Sequence, residues 1–179
     1  MGGYQGLIGI HGKARAGKDT VASFILSARG GYVYSFADPI RAMLKGIGVD
    51  MDEPYWQAHK EDVIEVLGAS PRKLMQTLGT EWGRNLINPD LWLILAKQRL
   101  LNYGPGMIIP DVRFENEAAW VRSQGGTLIH VERPGSEKVA AHSSEAGVKF
   151  VEGDIKIVNG GTLEDLQRTV HEVLSVYKA

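Results

Sequence analysis

The stretch HGKARAGKDT, residues 11 to 20, has glycines and a lysine at the spacing of a phosphate-binding loop. Gly12, Gly17 and Lys18 form the pattern G-x-x-x-x-G-K. Glycine lets the backbone curl so that successive N–H groups point at one anion, and the lysine supplies a mobile charge for the outer phosphates of a nucleotide. We expect the whole loop to contact the nucleotide, including the intervening residues Lys13, Ala14, Arg15 and Ala16.

The residue after this lysine is unusual, because Asp19 stands where a Ser or Thr normally gives its hydroxyl to magnesium. A carboxylate can also hold Mg²⁺, directly or through one of the waters that the ion keeps. Thr20 is the alternative, although one step along a helix turns a side chain by about 100°. We expect Asp19 on the magnesium side and Thr20 beside the phosphates.

Strand-like and helix-like segments alternate along the chain, and this order places the loop. GLIGI at 6 to 10 and GYVYSF at 31 to 36 are typical of strands, with a helical pattern between them that begins directly after the glycines. Three further strands are predicted: one in GMIIPD, one in TLIHVERPG that runs into a turn, and a last one in IKIVNGG. Such alternation predicts an α/β fold with a mostly parallel sheet covered by helices on both faces. The loop then lies at the carboxyl end of the first strand, where these sheets bind ligands.

The region between the second strand and residue 105 shows three helical patterns and one stretch that is harder to assign. ADPIRAMLKGIG predicts a helix entered through Pro39, and SPRKLMQTLGTEWGRNL predicts one capped by Ser70. PDLWLILAKQRLLNYG predicts a third, ending at Gly104. Residues 47 to 68 mix acidic residues, aromatics and a proline, so we expect a mobile, partly helical excursion there.

Size and composition limit the classes of protein that the chain can belong to. Its 179 residues predict one compact domain over 1–179. Twenty basic against 21 acidic side chains argue against a nucleic-acid partner. There is no cysteine, and no apolar run approaches the roughly 20 residues that span a bilayer. With no signal-peptide pattern at the start, we expect a cytoplasmic protein with no membrane partner.

Several blocks, taken together and in order, resemble the bacteriophage-type deoxynucleoside monophosphate kinases, within the P-loop nucleoside monophosphate kinases. These blocks are GKARAGKDT, RKLMQTLGTEWGR, PDVRFENE and HVERPG…HSSEAG…GD…IVNGGTLEDL. The resemblance runs from about residue 7 to 175 and implies transfer of the ATP γ-phosphoryl group to a deoxynucleoside 5′-monophosphate, with Mg²⁺. The sequence departs from the family pattern in two places, and both bear on which base is accepted. Ala14 separates Lys13 from Arg15, where family loops tend to have adjacent basic residues, and the excursion at 47 to 68 is short.

Phosphoryl transfer between two polyanions needs positioned charge more than covalent participation, and arginine can grip two phosphate oxygens at once. Asp111 ends a predicted buried strand, so we expect it at the sheet edge, ordering magnesium waters or the acceptor; a helix cap is the alternative. Arg113 is expected to bind the acceptor phosphate. Glu117 is expected to anchor Arg113 by a pair four residues apart, or simply to be exposed.

The acceptor site is expected in residues 37 to 92, the predicted monophosphate-binding region. Arg41 follows the second strand, where monophosphate kinases place an acceptor helix. Trp92 could stack on the base, although its spacing is also that of a core residue. Arg72 and Gln76 share one helix face, with Gly79 and Thr80 just beyond. This face could contact the base and the phosphate together, or it could be only the polar side of an amphipathic helix.

Residues 133 to 150 form a polar segment where related kinases have a lid that excludes water. Arg133 opens this segment and is expected to close over the transferring group. His142 and Glu145 could form a metal pair, but two residues three apart are poor evidence for one. Asn159, in IVNGG, resembles the adenine-contacting turn of related kinases, and Asn-Gly also suits a turn.

Two alternatives to the deoxynucleotide kinase remain open at this point. One is a kinase that phosphorylates phosphomevalonate or dephospho-coenzyme A. The other is an ATP-binding switch without catalysis, for which we see no attached domain or partner surface. The sequence also leaves a homodimer open.

Overall fold

The computed structural model describes residues 6–135 and 147–176, which divide into two compact units. One unit comprises Met1–Ser35 with Gln98–Ala179, and the other comprises Phe36–Lys97. We call the first the sheet unit and the second the helical unit. The single domain over 1–179 stays a prediction.

The sheet unit contains the five parallel strands that the alternating pattern predicts, so the α/β fold class is confirmed. The spatial order is β2-β3-β1-β4-β5. β2 is shorter than expected from GYVYSF: Tyr34 N–H still donates to Ile108 O of β3 at 3.0 Å, and the ladder ends there. The strand bounds are Leu7–His11 (β1), Tyr32–Val33 (β2), Met107–Val112 (β3), Thr127–Glu132 (β4) and Ile155–Val158 (β5).

Three helices lie wholly in the sheet unit: Lys18–Arg29 (α1), Glu115–Ser123 (α6) and Leu163–Val176 (α7). α1 and α7 lie against each other, and their apolar stripes share one core with the central strands. Burial of such stripes is the dominant force that holds helices on a sheet. The buried side chains include Ile8, Ile10, Val21, Ile25, Ile108, Ile129, Ile157, Leu166 and Val170.

The helical unit contains Asp38–Gly46 (α2), Pro54–Ala58 (α3), a 3₁₀ turn at Glu65–Leu67, Pro71–Gln76 (α4), and the first part of Leu91–Tyr103 (α5). Two predicted helix starts are confirmed: Pro39 lies in the first turn of α2, and Ser70 Oγ accepts the Lys73 N–H at 3.2 Å. A small core forms around Leu44, Val49 and Met51. The partly helical excursion at 47 to 68 is likewise confirmed by α3 and the 3₁₀ turn.

One expectation for the helical unit is wrong in its detail. The helix predicted after Ser70 is α-helical only to Gln76, and Thr77–Ile87 is a π-helix. Trp92 Nε1 donates to the Gly79 carbonyl at 2.7 Å, and its ring packs against Gly83. A side-chain donor on a helix carbonyl is one of the known causes of a locally irregular helix.

In the described part of the chain, none of the helices has the length and apolar character needed to cross a membrane.

Candidate active site

The glycine loop occupies the predicted place, between the end of β1 and the start of α1 at Lys18. Gly17 is the N-cap of α1 in the left-handed region (φ 99°), and Arg15 shares that region (φ 63°). Ala16 is buried and its N–H donates to Lys13 O at 3.2 Å, which closes the turn. Alternating left- and right-handed residues aim backbone N–H groups at one point, which is how such loops bind anions.

Gly12 is required by a close approach of two backbones. A Cβ at this position would lie 2.3 Å from the carbonyl oxygen of Val131 in β4. No rotamer can relieve that contact, because the backbone fixes the position of a Cβ and the oxygen belongs to the main chain. The first glycine of the motif therefore lets the loop leave β1 beside β4.

The Lys18 ammonium folds back over the loop. Nζ donates to Gly12 O at 2.7 Å and to Lys13 O at 2.9 Å. The same loop lies at the N-terminus of α1, where the helix dipole favours negative charge. A cation, loop amides and a helix N-terminus together form an anion-binding site with the chemistry that nucleotide phosphates need.

Asn159 contacts the loop directly. Its Nδ2 donates to Ala16 O at 2.9 Å, and its backbone N–H donates to Glu132 O at 2.7 Å. The turn after β5 thus holds the phosphate loop in shape. Adenine contact by Asn159 stays a prediction.

Asp111 lies near the carboxyl end of β3, on the strand that pairs directly with β1. Its Oδ2 accepts a short hydrogen bond from Ser35 Oγ, and Ser35 is buried. The alternative of a helix cap is not what the structure has, because the N-cap of α6 is Phe114. Sequence reasoning missed Ser35, which follows the second strand and so comes to the same sheet edge.

Glu117 holds Arg113 in a different way from the predicted ion pair. The carboxylate is buried, and Oε2 accepts the backbone N–H groups of Arg113 (2.8 Å) and Phe114 (3.1 Å). This fixes the start of α6, while the Arg113 side chain is exposed. The four-residue spacing did bring Glu117 to Arg113, but the buried carboxylate accepts hydrogen bonds from the otherwise unpaired N–H groups at the helix start.

The remaining candidates of the sheet unit lie at its surface. Asp19 is exposed in the first turn of α1, with Thr20 beside it, and Arg133 is exposed directly after β4. His142, Glu145 and most of the lid-like segment lie outside the described residues.

The other predicted acceptor residues lie in the helical unit. Arg41 pairs with Asp38 at 2.9 Å, and Arg72 pairs with Glu61. Both arginines are partly exposed, so a phosphate can compete for them with these carboxylates. Gln76 ends α4, and Gly79 and Thr80 lie in the π-helix.

Trp92 is 3% exposed, and its indole N–H is bonded to the Gly79 carbonyl. That environment supports the core reading of this residue, because a ring buried to this extent has no free face for a base.

The oxygen donors at the loop suit Mg²⁺. Within residues 6–135 and 147–176, no group of three or more His, Cys, Asp or Glu side chains could hold a metal ion. Magnesium at phosphate sites is commonly bound through one or two carboxylates plus phosphate oxygens and waters. Asp19 and Asp111 would supply the one or two carboxylates that such a site needs.

A model of the deoxynucleotide monophosphate kinase family matches residues 57–170. This chain belongs to that family. A homologue from Acanthamoeba polyphaga mimivirus is 32% identical over 175 residues, covering 89% of this chain and 91% of its own. The deoxynucleotide monophosphate kinase of Enterobacteria phage T4 is 29% identical over 238 aligned residues, covering 95% of this chain and 99% of the phage protein.

Among solved structures, dephospho-CoA kinase from Campylobacter jejuni aligns with a TM-score of 0.50 at 14% identity, covering 94% of this chain and 95% of its own. That likeness shows the P-loop kinase fold. Family membership makes this chain a kinase, an enzyme that transfers a phosphate group.

Proposed function

We propose that this kinase transfers the γ-phosphoryl group of ATP to a deoxynucleoside 5′-monophosphate, giving the diphosphate and ADP. The observation that carries the proposal is Lys18 folded over the glycine loop at the N-terminus of α1, in a chain of this family. An oxygen of the acceptor phosphate forms a bond to the γ-phosphorus as the bond to the β–γ bridging oxygen breaks. ADP takes the electron pair of that broken bond.

The loop supports this reaction by charge and position. Loop amides and the Lys18 ammonium would bind the β- and γ-phosphates and stabilise the charge on the bridging oxygen as ADP leaves. Asn159 keeps the loop in the shape that points these amides inward, through its bond to Ala16 O. No nucleophilic side chain is needed, because the acceptor phosphate is itself the nucleophile.

Asp19 and Asp111 are the residues that would hold Mg²⁺, directly or through water. The bound ion would neutralise phosphate charge, which is the usual contribution of magnesium in phosphoryl transfer. The bond from Ser35 to Oδ2 of Asp111 orients this carboxylate.

Arginines would bind the acceptor phosphate. Arg113 is the candidate in the sheet unit, because its exposed side chain follows Asp111 by two residues and Glu117 fixes its backbone. Arg41 and Arg72 are the candidates in the helical unit, with Gln76, Gly79 and Thr80 as neighbours for the base. Arg133 would neutralise negative charge on the phosphoryl group during its transfer.

We further propose that the enzyme works in the cytoplasm of a host cell on small-molecule nucleotides alone, which phage relatives and the balanced net charge support. A homodimer stays open, and sedimentation of the purified chain would decide it.

The test is ADP release from Mg-ATP in a coupled assay, with dGMP, dTMP, dCMP, dAMP, the four ribonucleotides and phosphomevalonate added singly. We expect strong stimulation by at least one deoxynucleotide, and its identity names the base. Turnover that ignores every acceptor contradicts the proposal, as does stimulation by phosphomevalonate alone. Removal of Mg²⁺ with a chelator is expected to abolish turnover.

A further inference from the structure

His11 is the last residue of β1 and directly precedes Gly12, yet the reaction above gives its side chain no role. Its ring touches two other parts of the sheet unit. Nδ1 bonds to the backbone oxygen of Val112 at 2.9 Å, and Nε2 accepts the backbone N–H of Val148 at 3.4 Å. Val112 lies between Asp111 and Arg113, so one imidazole joins the strand before the phosphate loop to the backbone of both candidates.

These two bonds fix the protonation state of the ring. A carbonyl oxygen can only accept and a backbone N–H can only donate, so Nδ1 must have the proton and Nε2 must be bare. The surroundings favour this neutral form. Burial lowers the pKa of His11 below its ordinary value and the nearby His130 and Lys18 lower it further, while the bond to Val112 O and the Glu115 carboxylate oppose this.

Behind His11, a buried cluster holds the segment 147–154 that contains Val148. Asp154, 8% exposed, accepts hydrogen bonds from Arg122 Nε (3.0 Å) and Nη2 (2.8 Å), His130 Nε2 (2.9 Å) and the Val151 N–H (3.1 Å). The His130 ring lies edge-on to the His11 ring, with 5.2 Å between centroids. A carboxylate with this many donors is satisfied and rigid, so the cluster supports the ring of His11 from behind.

The same segment is also tied to α6. Arg122 Nη2 donates to Lys149 O at 2.9 Å, and Glu115 Oε2 accepts the Lys149 N–H at 3.2 Å. Val148 and Lys149 are therefore held at three backbone atoms by side chains from β1 and α6. This gives His11 a fixed partner on one side and the strand of Asp111 on the other.

We propose that His11 is a positioning residue of the kinase, whose two hydrogen bonds hold the end of β3 and Val148 against the strand that enters the phosphate loop. This rests on the proposed function, because the backbone held in this way carries Asp111 and Arg113. Misplacement of a reacting group by about 1 Å can cost roughly a hundredfold in rate, so a link of this kind affects turnover more than ATP binding.

Three substitutions separate the two bonds. In His11→Asn the amide can donate to Val112 O from the place of Nδ1, and in His11→Gln it can accept from Val148 at the place of Nε2. His11→Phe keeps a ring against His130 and loses both bonds. His171→Asn, at an exposed position of α7, is the matched control.

We expect kcat to fall about tenfold or more in His11→Phe and by less in the Asn and Gln variants, with the KM for ATP within about twofold throughout. The control is expected to match the wild type. Equal loss of kcat in all three variants overturns the proposal, because neither bond taken singly would then contribute to positioning. A raised KM with kcat intact also overturns it, and so does full activity of His11→Phe assayed below its melting temperature.

A second measurement does not depend on turnover. We expect ¹⁵N NMR at neutral pH to show a neutral His11 ring protonated at Nδ1. We also expect the Val148 amide to exchange with solvent more slowly in the wild type than in His11→Phe, because only the wild type has the bond to Nε2. An Nε2-protonated ring, or equal exchange in the two proteins, contradicts the link. These results stand even if no monophosphate is an acceptor, so failure of this inference is distinguishable from failure of the proposed reaction.

Discussion

The phosphate loop of the sheet unit and the π-helix of the helical unit each depend on a glycine pressed against another part of its own unit. A Cβ on Gly12 would lie 2.3 Å from the backbone oxygen of Val131, and a Cβ on Gly83 would lie 2.3 Å from the ring of Trp92. In the loop, the glycine lets the backbone turn towards an anion. In the π-helix, the glycine leaves room for an indole.

The two regions therefore differ in what their glycines are for. The loop uses backbone N–H groups and one cation, so its motif can be read from residue types alone. The π-helix depends on a contact with a tryptophan of the next helix, and no local pattern records that contact. Substitution of Gly12 should therefore affect both stability and nucleotide binding, whereas substitution of Gly83 should affect stability alone.

Lys18→Ala should have the largest effect. Loss of the ammonium at the phosphates is expected to lower kcat/KM about a thousandfold with the fold intact, because charge stabilisation is the main source of rate in phosphoryl transfer. A coupled ADP-release assay measures the rate, and circular dichroism checks the fold. Lys97→Ala, on the exposed surface of α5, is the control. Retained turnover in a folded Lys18→Ala variant would remove this lysine from the site.

Gly12→Ala and Gly83→Ala test the difference between the two regions directly. Each added methyl meets an atom at 2.3 Å, so each is expected to lower the free energy of unfolding by about 2 to 4 kcal/mol. Only Gly12→Ala should also weaken ADP binding, because its loop must shift. Urea unfolding and calorimetric titration with ADP measure the two effects. Normal ADP affinity in Gly12→Ala, or lost affinity in Gly83→Ala, breaks the distinction.

Asp154→Asn tests a buried charge of the sheet unit. Burial raises the pKa of Asp154, but hydrogen bonds from Arg122, the Val151 N–H and His130 outweigh it and hold the pKa below its ordinary value. At neutral pH, the substitution should lower the free energy of unfolding by about 2 kcal/mol.

The pH dependence of that loss has a definite sign. Because the folded pKa is depressed, the unfolded chain binds more protons near it, and the contribution of Asp154 is fully present above about pH 4 to 5. It is lost as the pH falls through the folded pKa. Urea unfolding at neutral pH and at successively lower pH should show the gap between wild type and variant shrinking. A gap that widens in acid would contradict this role of the carboxylate.

Ser70→Ala and Thr162→Ala should have the smallest effects. Ser70 Oγ accepts the Lys73 N–H at the start of α4, and Thr162 Oγ1 accepts the Asp165 N–H at the start of α7. Loss of a cap usually costs about 1 kcal/mol. Tryptophan fluorescence reports mainly on the helical unit, because Trp56, Trp82 and Trp92 lie there and Trp120 lies in the sheet unit.

If the two units unfold in one transition, both cap variants shift the fluorescence midpoint by similar amounts. If they unfold separately, Ser70→Ala shifts the fluorescence midpoint, whereas Thr162→Ala shifts it much less. No change of midpoint in either variant would show that these side-chain caps do not contribute to stability.

Much of the sheet unit could be predicted from the sequence because its elements are local. Buried parallel strands are short apolar runs, and the loop and the start of α1 are fixed by glycines and a lysine at set spacing. The ends of strands were less predictable: β2 stops two residues after its start, although GYVYSF continues the apolar pattern. Strand length depends on where a neighbouring strand can still pair.

The partners of individual side chains could be predicted least. The spacing of Glu117 and Arg113 suggested an ion pair, but a carboxylate buried at the start of α6 is more strongly bound by two orphan N–H groups. Trp92 could equally be core or ligand by its spacing, and burial decided for the core.

By itself, the sequence determined the order of strands and helices, the phosphate loop and the family, because these depend on residue types at fixed short separations. Only the tertiary structure decided that Ser35 orients Asp111, that Asn159 holds the loop, and that His11 meets Val112 and Val148. These partners are many residues apart in the chain. Except for Val148, which lies in the segment before β5, they meet because parallel strands bring their carboxyl ends to one edge of the sheet.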